Sequence, residues 1–297
     1  MDKKILDQQS QYWENNFLSK PEMFGLEPSK AAINTLKTFK EENIKKIVEL
    51  GAGLGRDTIF FAKNSINVTA LDYSPAAIKT INKKALDQQS QYWEKNFLSK
   101  PEMFGLEPSE AAINTLKIFK EQNIKKIVEL GAGLGRDSIF FAKNSIHVSA
   151  LDYSFAAIKT INKKVLKHKL LSLISTKIFD VRKKLPFKNN SVEACFSHML
   201  YCMALTTTEL KYLNNEICRI LKSGGINIYT ARHTGDGDYK NGIHRGENLY
   251  ENDGFIVHFF SEKKVKEITN GFDVINIEKF EEGMFPRKLF RVTLKKK

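Results

Sequence analysis

Two hydrophobic rhythms run along the chain. Apolar runs at Lys125–Leu130, His147–Leu151, residues 173–180, Val192–Ser197 and Ile226–Thr230 have the length and the polar boundaries of buried strands. Between them lie stretches with apolar residues three and four apart, the spacing that gathers them on one helix face. Ile113, Leu116 and Phe119 share a face in Ala111–Gln122, and Leu210, Leu213, Ile217 and Ile220 share one in Thr207–Leu221. Further helices are expected over Leu86–Phe97, from Arg136, after Ser154 and over Ser261–Thr269, with Ser109 and Ser261 as N-caps. The glycines of Lys222-Ser223-Gly224-Gly225 are expected to end the helix before them. Strands alternating with helices predict an α/β fold, a doubly wound and mostly parallel sheet covered on both faces. Phe272–Phe280 and Lys288–Leu294 read as a closing antiparallel pair.

The same elements begin twice. Residues 5–84 and 85–164 match at a constant offset of 80 with nine substitutions, among them Thr58/Ser138, Asn67/His147 and Pro75/Phe155. A unit this long is not a solenoid repeat, and it stops after two strands. Two parallel strands cannot be paired on both sides and covered on both faces by that unit alone. It reads as a duplicated half of a domain, and only one completing half follows. The expected organisation is a duplicated N-terminal half-domain over residues 1–84, an appendage or swapping element, and a complete domain over residues 85–297. Direct connection favours the second copy as the one that completes the sheet, since looping it out would cost about 4 kcal/mol of closure entropy. Pro75, a favoured helix start, pulls towards the first copy by less than about 1 kcal/mol.

Candidate chemistry concentrates where the first strand of each copy ends. Val128–Asp137 reads Val-Glu-Leu-Gly-Ala-Gly-Leu-Gly-Arg-Asp, and Val48–Asp57 is identical. Glycines at 131, 133 and 135 let the backbone bend sharply and let a ligand approach it. Asp152 follows the next apolar run, where a carboxylate can accept both hydroxyls of a ribose; Asp72 is its counterpart. The dinucleotide fingerprint is incomplete, because Arg136 stands where its third glycine would fall. The Glu129–Gly135 pattern, E-x-G-x-G-x-G, resembles instead motif I of the class I S-adenosylmethionine-dependent methyltransferases. Leu185-Pro186-Phe187 with Asn190-Ser191-Val192-Glu193-Ala194 is similar to that family's segment before strand four. Leu221-Lys222-Ser223-Gly224-Gly225 is similar to its "LKPGG", with Ser223 replacing the proline. The last third is loosely similar to small-molecule methyltransferases of the tellurite-resistance and thiopurine-methylating kind.

The resemblance covers residues 85–297. It implies a Rossmann-like sheet of seven strands, S-adenosyl-L-methionine as cofactor, and methyl transfer to a small-molecule nucleophile such as a thiol or an oxyanion. It implies further that Glu129, Gly131, Gly133 and Gly135 hold the methionine end, Asp152 the ribose, and Asp180 with Val181 the adenine. Tyr153 and Ser197, at the ends of strands two and four, are placed in the same cofactor site. Asp137 is expected to cap its helix.

Ligands of open α/β sheets lie beyond the carboxyl ends of the strands. His198 follows strand four and is either a base or acceptor contact, or a histidine satisfied within its loop; a near-neutral pKa suits both. Residues 233–254, rich in glycine, read as a lid or as a solvated loop. As a lid, they would bring Arg232, His244 and Arg245 to an anionic or soft nucleophile. His198, Arg232, His244 and Arg245 are the candidate catalytic residues. No metal is expected, since His233 and His244 lack the spacing of a ligand pair.

Composition narrows the alternatives. The chain has 297 residues, 42% of them apolar, enough for one large domain and more. Cys195, Cys202 and Cys218 lack ligand spacing and fit reduced thiols in the cytoplasm. The sequence contains no apolar leader and no run long enough for a membrane span. The net charge is +13, but the lysines are dispersed, so a nucleic-acid partner is not expected. A methyltransferase of RNA or protein is one alternative, although Ser197-His198-Met199-Leu200 is no amino-methylating Asn-Pro-Pro-Tyr-type motif. A non-catalytic, cofactor-binding relic of the duplication is another. A domain-swapped homodimer is the self-association the duplication allows.

Overall fold

The structure, a computed structural model, describes residues 3–20, 23–64, 66–87, 89–283 and 287–297. The chain forms two compact units, Met1–Gln88 and Gln89–Lys297. The division falls a few residues beyond the repeat boundary, because the last helix of the first unit runs on to Asp87. Of the helix expected over Leu86–Phe97, Gln88 lies outside the described residues.

The first unit comprises α1 (Lys3–Ser19), α2 (Lys30–Glu41), β1 (Lys46–Leu50), α3 (Arg56–Lys63), β2 (Asn67–Leu71) and α4 (Pro75–Asp87). Among the described residues, β1 and β2 pair only with each other, in parallel.

The second unit begins with α5 (Gln89–Ser99), α6 (Glu110–Glu121), β3 (Lys126–Leu130), α7 (Arg136–Lys143), β4 (His147–Asp152) and α8 (Phe155–Lys167). It continues with β5 (Ile174–Ile178), β6 (Val192–Ser197), α9 (Thr207–Ile220), β7 (Leu221–Arg232), β8 (Ile243–His244), β9 (Leu249–Asn252) and β10 (Phe255–His258). It ends with α10 (Glu262–Glu267), β11 (Phe272–Glu282) and β12 (Arg287–Lys296). Seven strands form one sheet in the order β11-β12-β7-β6-β3-β4-β5. β3 to β7 are parallel, and β12 joins antiparallel to both β7 and β11. Helix starts follow side-chain caps. Ser109, Ser154 and Ser261 each accept a backbone N–H, and Thr206 forms a capping box with Glu209.

Three local expectations are corrected. α9 stops at Ile220 without a glycine cap, and residues 222–225 lie inside β7, where the register against β6 shifts. A Cβ on Gly225 would come within 2.9 Å of the Glu193 carbonyl oxygen, so this glycine serves strand packing. Asp137 does not cap its own helix. Its carboxylate accepts the Ser109 N–H at 2.8 Å and the Ser109 hydroxyl at 2.7 Å, tying α7 to the start of α6. Residues 233–254 are not a structureless loop, because β8, β9 and β10 form a small antiparallel sheet.

The central strands of the sheet are buried on both faces, while the edge strands β5 and β11 are largely exposed. Ile127, Val148 and Ala150 pack with Leu116, Phe119, Phe141 and Ile161 of α6, α7 and α8. Val128, Leu130 and Leu151 point the other way, into a core with Leu213 and Ile217 of α9, Val265 of α10 and Tyr229 of β7. The second of these cores is supplied almost wholly by residues after 164.

The first unit isolates what that second face contributes. α2 and α3 cover one side of its two strands, burying Ala32, Leu36, Phe61 and Val68. On the other side Val48 is 61% exposed, Leu50 77% and Leu71 49%, whereas Val128, Leu130 and Leu151 are 2%, 0% and 2% exposed. The glycine turn itself does not change. Gly51, Gly53 and Gly55 have φ of 68°, 51° and 76°, against 68°, 52° and 77° at Gly131, Gly133 and Gly135. Local sequence sets the turn, and the completing half sets the burial.

Deleting residues 1–80 leaves one copy of every element of the second unit. That chain is expected to fold, to bind the cofactor and to remain soluble at higher concentration than the parent, because bare apolar strand faces promote association. Solubility assays and calorimetry check this; an insoluble product would make the first copy integral to folding.

Candidate active site

A cleft of about 740 Å³ opens beyond the carboxyl ends of β3, β4 and β6, where open α/β sheets place their ligands. Its floor is the glycine turn, with Gly131, Ala132, Gly133 and Leu134 all in the lining. A Cβ on Gly131 would meet Leu200 at 3.1 Å, so a side chain there would close the floor. Gly135 is not in the lining. A Cβ there would sit 2.7 Å from Cγ1 of Ile161, so its role is to let α8 pack against the turn.

Asp152, at the end of β4, clasps this floor. One carboxylate oxygen accepts the Gly133 N–H at 2.8 Å and the other the Ser154 N–H at 2.9 Å. A carboxylate has about four lone-pair sites, which leaves acceptor capacity for two ribose hydroxyls. Burial pushes the Asp152 carboxyl up to about 6, against the opposing pull of the Ser154 and Gly133 N–H groups. Glu129, also in the lining, accepts the Ser138 hydroxyl. Burial, and then the negative charge of Asp137, raise its carboxyl well above the ordinary range. Tyr153, Phe179 and Val181 extend the wall beyond Asp152, and the Tyr153 hydroxyl donates to the Gln89 carbonyl at 3.3 Å. Asp180 is outside the lining, bonded to the Arg182 guanidinium at 2.9 Å, and Ser197 is buried below the cleft surface.

An aromatic roof covers the floor. Tyr92, Trp93 and Phe97 of α5 line the cleft with Phe104 and with Phe255 of β10. Tyr92 stacks on Phe255 with ring centroids 5.4 Å apart, and Trp93 meets the same ring edge-on at 5.4 Å. The Gln89 side chain holds the two elements together, donating to the Gly254 carbonyl at 2.7 Å and accepting the Ile256 N–H at 3.2 Å.

A histidine and a glutamate complete the polar lining. His198 lies in the lining between Thr230 Oγ1, 3.0 Å from Nδ1, and Glu282 Oε2, 3.1 Å from Nε2. Thr230 Oγ1 also accepts the Met199 N–H at 2.9 Å. Met199, with φ of 65°, is a non-glycine residue in the left-handed region, a strained turn of the kind found at functional sites. Burial would raise the Glu282 carboxyl, but the His198 hydrogen bond and the charges of His198 and Arg136 outweigh it and hold it low. Neither Glu282 nor Thr230 is signalled by a local motif. Both reach the site through strand pairing, Thr230 opposite Arg291 of β12 and Glu282 opposite Arg287.

The three remaining catalytic candidates lie outside the cleft lining. Arg232 is buried and bound to Asp236 and Asp238, above the Phe259 ring at 5.2 Å. Asp236 in turn accepts the Lys288 N–H at 2.8 Å, so Arg232 anchors the corner between β7 and β12. His244 Nε2 lies 2.9 Å from the Glu247 carbonyl, and Arg245 donates to Glu251 at 2.7 Å, both within the small sheet. That sheet pairs their side chains internally and offers Phe255 to the cleft instead. Among the described residues no cluster of three or more His, Cys, Asp or Glu side chains is placed to hold a metal ion. No described helix is long and apolar enough to cross a membrane.

Comparison with known proteins agrees with this geometry. Residues 127–225 match the family model of a methyltransferase domain. Phosphoethanolamine N-methyltransferase 1 of Triticum aestivum is 32% identical over 150 residues, which are 49% of this chain and 26% of that protein, so the chain spans about a quarter of its length. The 1,6-didemethyltoxoflavin-N1-methyltransferase of Burkholderia thailandensis, solved with S-adenosylhomocysteine bound, superposes with a TM-score of 0.58 at 14% identity, covering 72% of this chain and 90% of its own. TehB of Haemophilus influenzae superposes at 0.51 with 18% identity, covering 69% and 67%.

The raised carboxyls predict a pH dependence of cofactor binding. Ribose hydroxyls donate to an ionised carboxylate, so a cofactor held by Asp152 would favour its ionised form. The carboxyl of the free protein is ionised above about 6 and protonated below it. S-adenosylmethionine affinity is therefore expected to hold at neutral pH and to fall by up to about tenfold per unit below pH 6. Calorimetry across that range checks it, and a flat profile would contradict it. Asp152→Ala should weaken binding by about 1.5–3 kcal/mol per lost hydrogen bond, while Asp72→Ala should leave it unchanged. The clasped glycine turn, the acidic strand end and the seven-strand order agree with these matches: residues 127–225 match a methyltransferase domain, and residues 89–297 share the fold of solved methyltransferases.

Proposed function

We propose that the chain transfers a methyl group from S-adenosylmethionine to a small-molecule nucleophile. One observation carries this reading: a single cleft holds the glycine turn, Asp152 and the His198–Glu282 pair in one lining, under an aromatic roof. The cofactor supplies a methyl group already activated on a sulfonium, so the protein's task is positioning and exclusion of water.

Asp152 would take the ribose hydroxyls, and Glu129, ionised by a neighbouring ammonium, the amino group of the methionine end. Phe179 and Val181 offer an apolar wall for the adenine. Tyr92, Trp93 and Phe104 keep water from the reacting centre. His198 stands where an acceptor proton would leave, with Thr230 and Glu282 fixing its ring. The Triticum aestivum relative is by name an N-methyltransferase of phosphoethanolamine, so amines join thiols and oxyanions as candidate acceptors.

Calorimetry with S-adenosylmethionine followed by a panel of small thiols, oxyanions, amines including phosphoethanolamine, and bulk RNA tests the reading through S-adenosylhomocysteine formation. Turnover is expected with a small acceptor. His198→Ala should cut it by about 100-fold or more with cofactor affinity nearly unchanged. Turnover with RNA alone, or none with any acceptor despite cofactor binding, would overturn it.

A further inference from the structure

Arg287 stands apart from the other charged side chains of the cleft. Glu129, Asp137 and Asp152 are bonded to Ser138, to Ser109, and to the Gly133 and Ser154 N–H groups. Glu282 is paired with His198, and Arg136 donates to the Phe104 carbonyl at 2.9 Å while facing Asp137 and Glu282 at 3.5 and 3.8 Å. Arg287 lines the same cleft and makes no side-chain hydrogen bond or ion pair with another described residue.

Its place in the sheet makes that lack informative. Arg287 sits directly opposite Glu282 across the β11–β12 ladder, and opposed residues of an antiparallel pair project from the same face. An arginine beside a carboxylate would ordinarily pair with it. Here the Glu282 carboxylate lies 3.1 Å from His198 Nε2 and 3.8 Å from the Arg136 guanidinium instead. The planar five-donor fork of this exposed lining residue is left open beside Glu282, the geometry that binds a carboxylate or phosphate through two parallel hydrogen bonds.

We propose that the methyl acceptor is an anionic small molecule, its carboxylate or phosphate group taken by Arg287 and its nucleophilic atom lying beside His198 and Glu282. This rests on the methyl-transfer reading of the cleft. In the transfer, the acceptor's lone pair forms the bond to the methyl carbon, and the carbon–sulfur electron pair stays with sulfur as S-adenosylhomocysteine. The acceptor's proton leaves towards the His198–Glu282 pair. The anion is fixed and takes no part in bond making. It sets which molecules can place their nucleophile in line.

The test titrates the full chain, saturated with S-adenosylhomocysteine, with inorganic phosphate and separately with acetate, read by calorimetry. The parent is expected to bind at least one of the two. Arg287→Ala should weaken that binding at least tenfold, Arg287→Lys should keep part of it, and Lys188→Ala, at an exposed site outside the cleft, should match the parent. S-adenosylhomocysteine affinity should be equal in all four proteins. Binding of neither anion, or equal binding by the Arg287→Ala protein, would overturn the proposal. A parallel loss of S-adenosylhomocysteine affinity in that variant would also overturn it, by assigning the guanidinium to the cofactor's own carboxylate. A parent that binds no S-adenosylhomocysteine refutes the methyl-transfer reading and this inference with it, whereas cofactor binding without anion binding refutes this inference alone.

Discussion

A parallel strand carrying apolar side chains on both faces must be covered on both, and the architecture follows from that requirement. β3 points Ile127 at α6, α7 and α8, and Val128 with Leu130 at α9 and its neighbours. The first cover is encoded within eighty residues of sequence, while the second comes from the half that follows. Two nearly identical segments in one chain separate the contributions. With one cover, the strands and the glycine turn still form; without the other, large apolar side chains face water.

The same burial sets the chemistry of the floor. Carboxylates in a water-poor cleft resist ionisation, so Asp152 and Glu129 are held ready for partners that supply donors and positive charge. In the proposed reading S-adenosylmethionine would offer hydroxyls to the first and an ammonium to the second. Glu282 shows the opposite balance: equally part of the wall, it stays ionised because His198 and Arg136 already serve it. One cavity thus holds carboxylates of opposite tendency in the same lining.

Much of this was legible before the fold was known, and the division is physical. Strand four was read residue for residue, and the glycine turn and Asp152 were found because close backbone approach leaves a short-range pattern. Glu282, Thr230 and Arg287 left none, since strand pairing brings them to the cleft from distant sequence. Arg232, His244 and Arg245 were read as ligand-facing because they follow strand five. They instead bond to the Asp236 carboxylate, the Glu247 backbone carbonyl and the Glu251 carboxylate, partners a few residues away in and around a small sheet that glycine-rich sequence concealed. The glycines at 224 and 225 carry the same ambiguity, because a helix end and a strand bulge use the residue for one reason, freedom of the backbone.

The helix that opens the domain also roofs its cleft. α5 contributes nothing to the seven strands, yet Gln89, Tyr92 and Trp93 bind the tip of the small sheet over the glycine turn. The boundary of the domain is therefore a chemical boundary as well as a topological one. A proteolytic nick or a fusion junction inside this first helix would leave the sheet whole while opening the cleft to solvent, giving a protein whose backbone stays folded and whose aromatic roof is lost.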